Sequence, residues 1–72
     1  MPQPYETLAS AFENDRRVTV TGTDGTVYED RTVEDFLHVE TQTFEVWRFD
    51  LSSPNGTVRL YGPDLEAVEM LD

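Results

Sequence analysis

His38 is the one imidazole in a chain of 72 residues, and Glu40, two positions on, would share its face on a strand. A histidine paired with a carboxylate can act as a general base if a nucleophile and an orienting group lie within hydrogen-bond reach. No such set is legible here, and two polar residues alternating along a strand are also what a solvated sheet face presents. The pairs Glu29-Asp30 and Glu34-Asp35 and the group Glu66, Glu69 and Asp72 could gather hard cations such as magnesium. Their spacing matches no EF-hand loop, and adjacent residues on a strand point to opposite faces, which favours solvated surface. With no cysteine and one histidine, neither a thiolate cluster nor a His-based centre is expected; the chain is read as holding no metal and no cofactor. Gly22-Thr23-Asp24-Gly25 lacks the Lys and Ser/Thr of a P-loop and precedes a strand, which makes it a turn. Enzymatic activity is not expected.

The arginines and aromatics offer a different kind of chemistry. Phe44, Val46, Arg48, Arg59 and Tyr61 fall on one outward face in the strand register derived below, a composition typical of interface centres. They form the candidate binding surface, with a protein partner or a second copy of the chain as occupant. The competing account is a cross-strand ion pair, Asp50 with Arg59, beside an arginine stacked on Tyr61.

Composition limits the alternatives. Seventy-two residues leave room for one small domain, read over 1–72 with residues 1–3 as a flexible tail. Fifteen Asp and Glu against five Arg and no Lys give a net charge of -10. Such a surface disfavours binding to phosphate backbones, which rests on cationic contacts. Leu, Val and Phe number 18 of 72, about a quarter, enough for a small core. Apolar runs are no longer than two residues, which excludes a membrane-spanning helix, and Met1-Pro2-Gln3-Pro4 has neither the charged nor the apolar region of a signal peptide. A cytoplasmic location is expected. The all-arginine cations, excess acid, abundant Thr and Val and missing Ile resemble the small acidic proteins of salt-in halophilic archaea. Molar salt shortens the Debye length to about 3 Å and so relieves the self-repulsion of such a chain.

The elements that must position these residues follow from periodicity. Tyr5, Leu8 and Phe12 sit at i, i+3 and i+7 behind Pro4, one stripe of a short helix. From Arg17 the period becomes two: Val18 and Val20 alternate with threonines up to the Gly22–Gly25 turn, and the chain returns through Val27 and Tyr28. Burial favours a four-residue loop pairing Val20 with Val27 over a two-residue loop setting Val20 against Glu29. Val18 then faces Glu29, a mismatch removed either by a bulge near Glu29-Asp30 or by the end of pairing there. Residues 32–40 are ambiguous: Thr32 and Asp35 imitate a capping box, while Val33, Leu37 and Val39 alternate as in a strand, favoured from Phe36. Phe44–Leu51 reads as a strand, and Ser53-Pro54-Asn55-Gly56 as a turn. That turn pairs Leu51 with Val58 and Phe49 with Leu60, gathering Trp47, Phe49, Leu51, Val58 and Leu60 on one inner face with Val20, Leu8 and Phe12. Residues 64–71 suit either a helical turn or a closing strand with Val68 and Met70 inward.

The fold class expected is α+β, mainly β: an N-terminal helix followed by an antiparallel meander curled into a small barrel, because closure hides strand edges. In layout the chain resembles the Sm/LSm-like fold, with a helix near Pro4 and Leu8, a first strand Arg17-Val18-Thr19-Val20, a turn ending in Gly25, and a late strand Val58-Arg59-Leu60-Tyr61-Gly62. Val33-Glu34-Asp35-Phe36 stands at the family's first motif without its Met-Asn pair, and Tyr61-Gly62-Pro63-Asp64 at the second without its Arg. The resemblance implies an SH3/Sm-like barrel and, as the alternative to protein binding, an RNA-binding role carried by the arginines.

Overall fold

The computed structural model describes residues 3–71. Helix α1 spans Pro4–Glu13, followed by strands β1 (Arg17–Gly22), β2 (Val27–Glu40), β3 (Glu45–Ser53) and β4 (Gly56–Tyr61). A 3-10 turn, Gly62–Asp64, then leads into β5 (Leu65–Met70). The strands form one five-stranded antiparallel sheet ordered β4-β3-β2-β1-β5, so the fold is α+β and mainly β.

Pro4 supplies a preset φ at the start of α1, and the Glu6 carboxylate accepts a hydrogen bond from the Gln3 backbone N–H at 3.2 Å. Of the expected tail, residues 1 and 2 lie outside the described residues, while Gln3 is the N-cap of this helix. At the other end Asp15 takes φ 53° and the Arg16 N–H donates to the Ala11 carbonyl at 2.8 Å, the six-to-one bond of a Schellman motif. The helix meets the sheet through Leu8 and Ala11, both buried. Phe12 lies beside that buried pair at the rim, where it is 41 % exposed rather than in the expected core.

The β1–β2 hairpin takes neither loop length weighed from the sequence. The Gly22 N–H donates to the Thr26 carbonyl at 2.8 Å and Gly25 takes φ 90°, closing a three-residue loop that pairs Thr21 with Val27 and Val20 with Tyr28. The pairing then shifts between Val20 and Val18, which faces Arg31, and Asp30 takes φ 55°. The bulge at Glu29-Asp30 is therefore the alternative that holds, and it keeps Val18 and Val20 both buried.

A second irregularity at Glu34 separates the pair Val33–Leu51 from Asp35–Asp50, so β2 is strand throughout and bends twice. Its first half pairs with β1 and its second with β3. The β3–β4 ladder has the expected register, Leu51 with Val58 and Phe49 with Leu60, and closes one pair further at Ser53–Gly56. Of the two readings of the C-terminal stretch the closing strand holds: after the 3-10 turn, β5 pairs with β1, with Val68 and Met70 packed on the core.

The expected barrel is not completed. Strands β4 and β5 lie at opposite ends of the sheet order, and the 3-10 turn carries the chain between these edges without a ladder joining them. Pro63 in that turn has no N–H to donate. Both edge strands are six residues long, which limits the pairing surface each exposes. Leu8, Ala11, Val18, Val20, Val33, Phe49 and Leu51 form the buried core, with Trp47, Leu60, Phe36 and Met70 half-buried against it. Phe49 is the largest of the fully buried side chains. Phe49→Ala should cost about 3–5 kcal/mol, comparable to the whole stability of a domain this small. Thermal melts should show the variant largely unfolded; a cooperative melt near the parent's would remove Phe49 from the centre of the core.

Candidate interaction surface

Alternation along β3 sends Trp47, Phe49 and Leu51 to the core and Val46, Arg48 and Asp50 to the opposite face. Cross-strand pairing extends these outward residues into rows. Asp35, Asp50 and Arg59 make one row across β2, β3 and β4; Leu37, Arg48 and Tyr61 make the next; Val39 and Val46 make a third. Phe44 lies just beyond, in the turn before β3, where its N–H donates to Thr41 Oγ1 at 3.1 Å. Exposure is 43 % for Leu37, 39 % for Val39, 47 % for Val46, 47 % for Tyr61 and 54 % for Phe44, so this apolar strip faces water.

Its charges are internally matched. Arg59 donates from Nε to Asp50 Oδ1 at 2.9 Å and from Nη2 to Oδ2 at 3.2 Å, a two-pronged pair. Arg48 Nη1 reaches Asp35 Oδ2 at 3.5 Å. The arginine expected to stack on Tyr61 thus turns its head to a carboxylate on β2, while the guanidinium lying over a ring is that of Arg31, 5.8 Å from the centre of Tyr28. The hydrogen bond from Arg59 holds the Asp50 carboxyl below the usual carboxylate range, with the charges of Arg59 and Arg48 adding to the effect against partial desolvation.

Of the sequence-derived surface, Val46, Arg48, Arg59 and Tyr61 therefore stand together on one side of the sheet, and Phe44 is exposed in the turn at its end. Leu37 and Val39 belong to it as well. Their parity matches Val33, which is buried, and only the irregularity at Glu34 turns them to the other side. A cleft of about 380 Å³ lined by Val46, Trp47, Tyr61, Gly62 and Pro63 borders the strip. Gly62 is required there, because a Cβ on it would lie 2.7 Å from Trp47 Cε2.

Three of the four paired carboxylates singled out in the sequence are engaged, and Glu29 is exposed. Asp30 accepts from Arg17, Asp35 from Arg48, and Glu34 from Thr57 Oγ1 at 2.8 Å. Glu66 and Glu69 are exposed on β5, and Asp72 lies outside the described residues. His38 is on the core side, with Nε2 2.8 Å from Glu45 Oε2 across the ladder and its ring stacked on Tyr5 at 4.4 Å. Ser10 and Ser53 accept hydrogen bonds from Asn14 and Asn55 at the helix end and the β3–β4 turn, and Ser52 accepts one from the Thr32 N–H between β3 and β2.

No family model, curated protein or solved structure matches the chain. Among the described residues no helix is long and apolar enough to cross a membrane.

The Asp50–Arg59 pair has a defined pH signature. A carboxyl whose folded pKa is lowered contributes stability that is present above its unfolded value, about pH 4, and lost as pH falls through the folded one. The melting midpoint of the parent should exceed that of Arg59→Gln by a constant margin from about pH 7 to 5, and the margin should shrink below about pH 4. A margin unchanged to about pH 2 would show that the ionised pair does not supply it.

Proposed function

We propose that the chain is a non-catalytic protein-interaction module of a salt-rich cytoplasm, docking through the outward face of β2, β3 and β4. The observation that carries this reading is the contiguous strip of Leu37, Val39, Phe44, Val46 and Tyr61 exposed on a sheet whose other face holds the core. Monomeric proteins rarely leave extended apolar patches in water unless a partner covers them.

Charge indicates the partner. On this face Arg48 and Arg59 balance Asp35 and Asp50, so the net charge of -10 is carried by the rest of the chain. Two copies approaching by any other side would bring like charge against like; approaching by this face, they meet where the field is weakest. A second copy packed about a two-fold axis is the occupant this pattern favours. The alternative of Sm-like RNA binding has less support. The heads of Arg17, Arg48 and Arg59 each meet an aspartate, and Arg31 donates to the carbonyls of Glu29 and Ser52, so phosphate would have to displace existing partners. The order of helix, four-strand meander, 3-10 turn and last strand returning to the first supports the resemblance in layout.

Sedimentation velocity in about 1 M potassium chloride, where screening is nearly complete, tests the reading. The parent should sediment as a dimer of the 8.3 kDa chain, and Val46→Ser combined with Tyr61→Ser as a monomer. The double variant should melt within a few degrees of the parent, since both side chains are exposed. A parent that stays monomeric at every concentration would overturn self-association.

A further inference from the structure

At the far end of the core face, the β2–β3 ladder finishes on Glu40 directly opposite Glu45. Like charges in facing positions of a sheet repel, and nothing in the backbone pairing requires acid at both. His38 lies two residues before Glu40 on the same face, pointing Nε2 at Glu45 Oε2. One nitrogen of His38 and one oxygen each of Glu40 and Glu45 lie within 4.8 Å of one another. The Tyr5 ring, stacked on the imidazole with 22° between planes, holds its orientation from the helix side. The arginines named in ion pairs here, Arg17, Arg48 and Arg59, neutralise Asp30, Asp35 and Asp50.

We propose that His38, Glu40 and Glu45 form a binding site for a divalent transition-metal ion, zinc or a close relative. Zinc takes imidazole nitrogen at about 2.0–2.1 Å and carboxylate oxygen at about 2.0–2.2 Å, so in its usual tetrahedral geometry the ligand atoms lie about 3.4 Å apart. Reaching that spacing takes rotation of Glu40, an exposed side chain at the end of its strand, and opening of the 2.8 Å contact between His38 Nε2 and Glu45 Oε2 to admit the ion. The imidazole distinguishes this site from a general acidic surface, because nitrogen donors favour transition ions over magnesium or calcium. Three protein ligands leave a coordination position open to water. The ion relieves the Glu40–Glu45 repulsion and ties the end of the β2–β3 hairpin to α1 through the stacked Tyr5. His38 lies on the side opposite the docking strip, whereas Glu45 also lines the cleft that borders it, so His38→Ala and Glu40→Gln are the variants that leave the strip untouched.

The test is calorimetric titration of zinc into the protein in about 1 M potassium chloride, which suppresses diffuse attraction to the acidic surface. A single site should appear. Glu40→Gln is the decisive variant because the two roles of Glu40 pull in opposite directions. Without metal it should raise the melting temperature by removing the like-charge pair, and it should weaken zinc binding by about tenfold or more. His38→Ala should weaken binding comparably, and Glu69→Gln, on β5, should leave it unchanged. Zinc bound equally by the parent and Glu40→Gln would overturn the site. So would weak uptake at several equivalents that magnesium displaces, which marks the acidic surface acting as a counter-ion cloud.

Discussion

A helix of ten residues can cover only one face of this sheet, and most of the molecule's character follows from that shortage. α1 is set against β1, β2 and β5, where Leu8 and Ala11 close over Val18, Val20, Val33, Phe49 and Leu51. No second layer is available for the reverse of β2, β3 and β4, so whatever alternates outward on those strands is left in water. A chain of this kind would usually place charge or threonine there, as β1 does with Thr19 and Thr21. Instead the outward positions of the central strands carry Leu37, Val39 and Val46, with Tyr61 on the edge strand. The two bends in β2 matter for the same reason: they let one strand serve β1 and β3 in turn and decide which of its apolar residues are buried.

Electrostatics sharpens the contrast between the two sides. Exposed ion pairs contribute at most about 1 kcal/mol each, so Arg48 with Asp35 and Arg59 with Asp50 do little to hold the fold. Their effect is local neutrality. In a molecule carrying a net charge of -10, two arginines spent on one sheet face make that face the place of easiest approach, while the end bearing Glu40 and Glu45 concentrates uncompensated acid around one histidine.

Much of this was legible in the sequence where pattern and turn chemistry agreed. Ser53-Pro54-Asn55-Gly56 between two alternating runs was enough to set the β3–β4 register, and with it the opposition of Asp50 to Arg59 and Arg48 to Tyr61. The first hairpin was harder, because Gly25 in a left-handed conformation closes a loop of intermediate length and the bulge at Asp30 then shifts the pairing again. Alternation alone cannot locate such insertions, which is why Leu37 and Val39 seemed to share a face with Val33. Phe12 misled for a different reason: periodicity defines a stripe, but the sheet buries Leu8 with Ala11, the neighbouring position, and leaves Phe12 at the rim. Glu45 lies beyond the turn from His38, so their contact depends on the ladder and not on local spacing. Closure into a barrel was inferred from the need to hide edges; short edge strands meet that need with the sheet left open.

The central claim is that the neutral apolar strip is where this chain meets a second copy of itself. Methyl resonances read it residue by residue, with the buried Leu8, Val18 and Val20 as internal references. Spectra recorded from dilute to concentrated protein in about 1 M potassium chloride should show concentration-dependent shifts at Leu37, Val39 and Val46 while the core methyls stay fixed. Shifts absent from those three residues, or spread evenly through core and surface, would contradict the account.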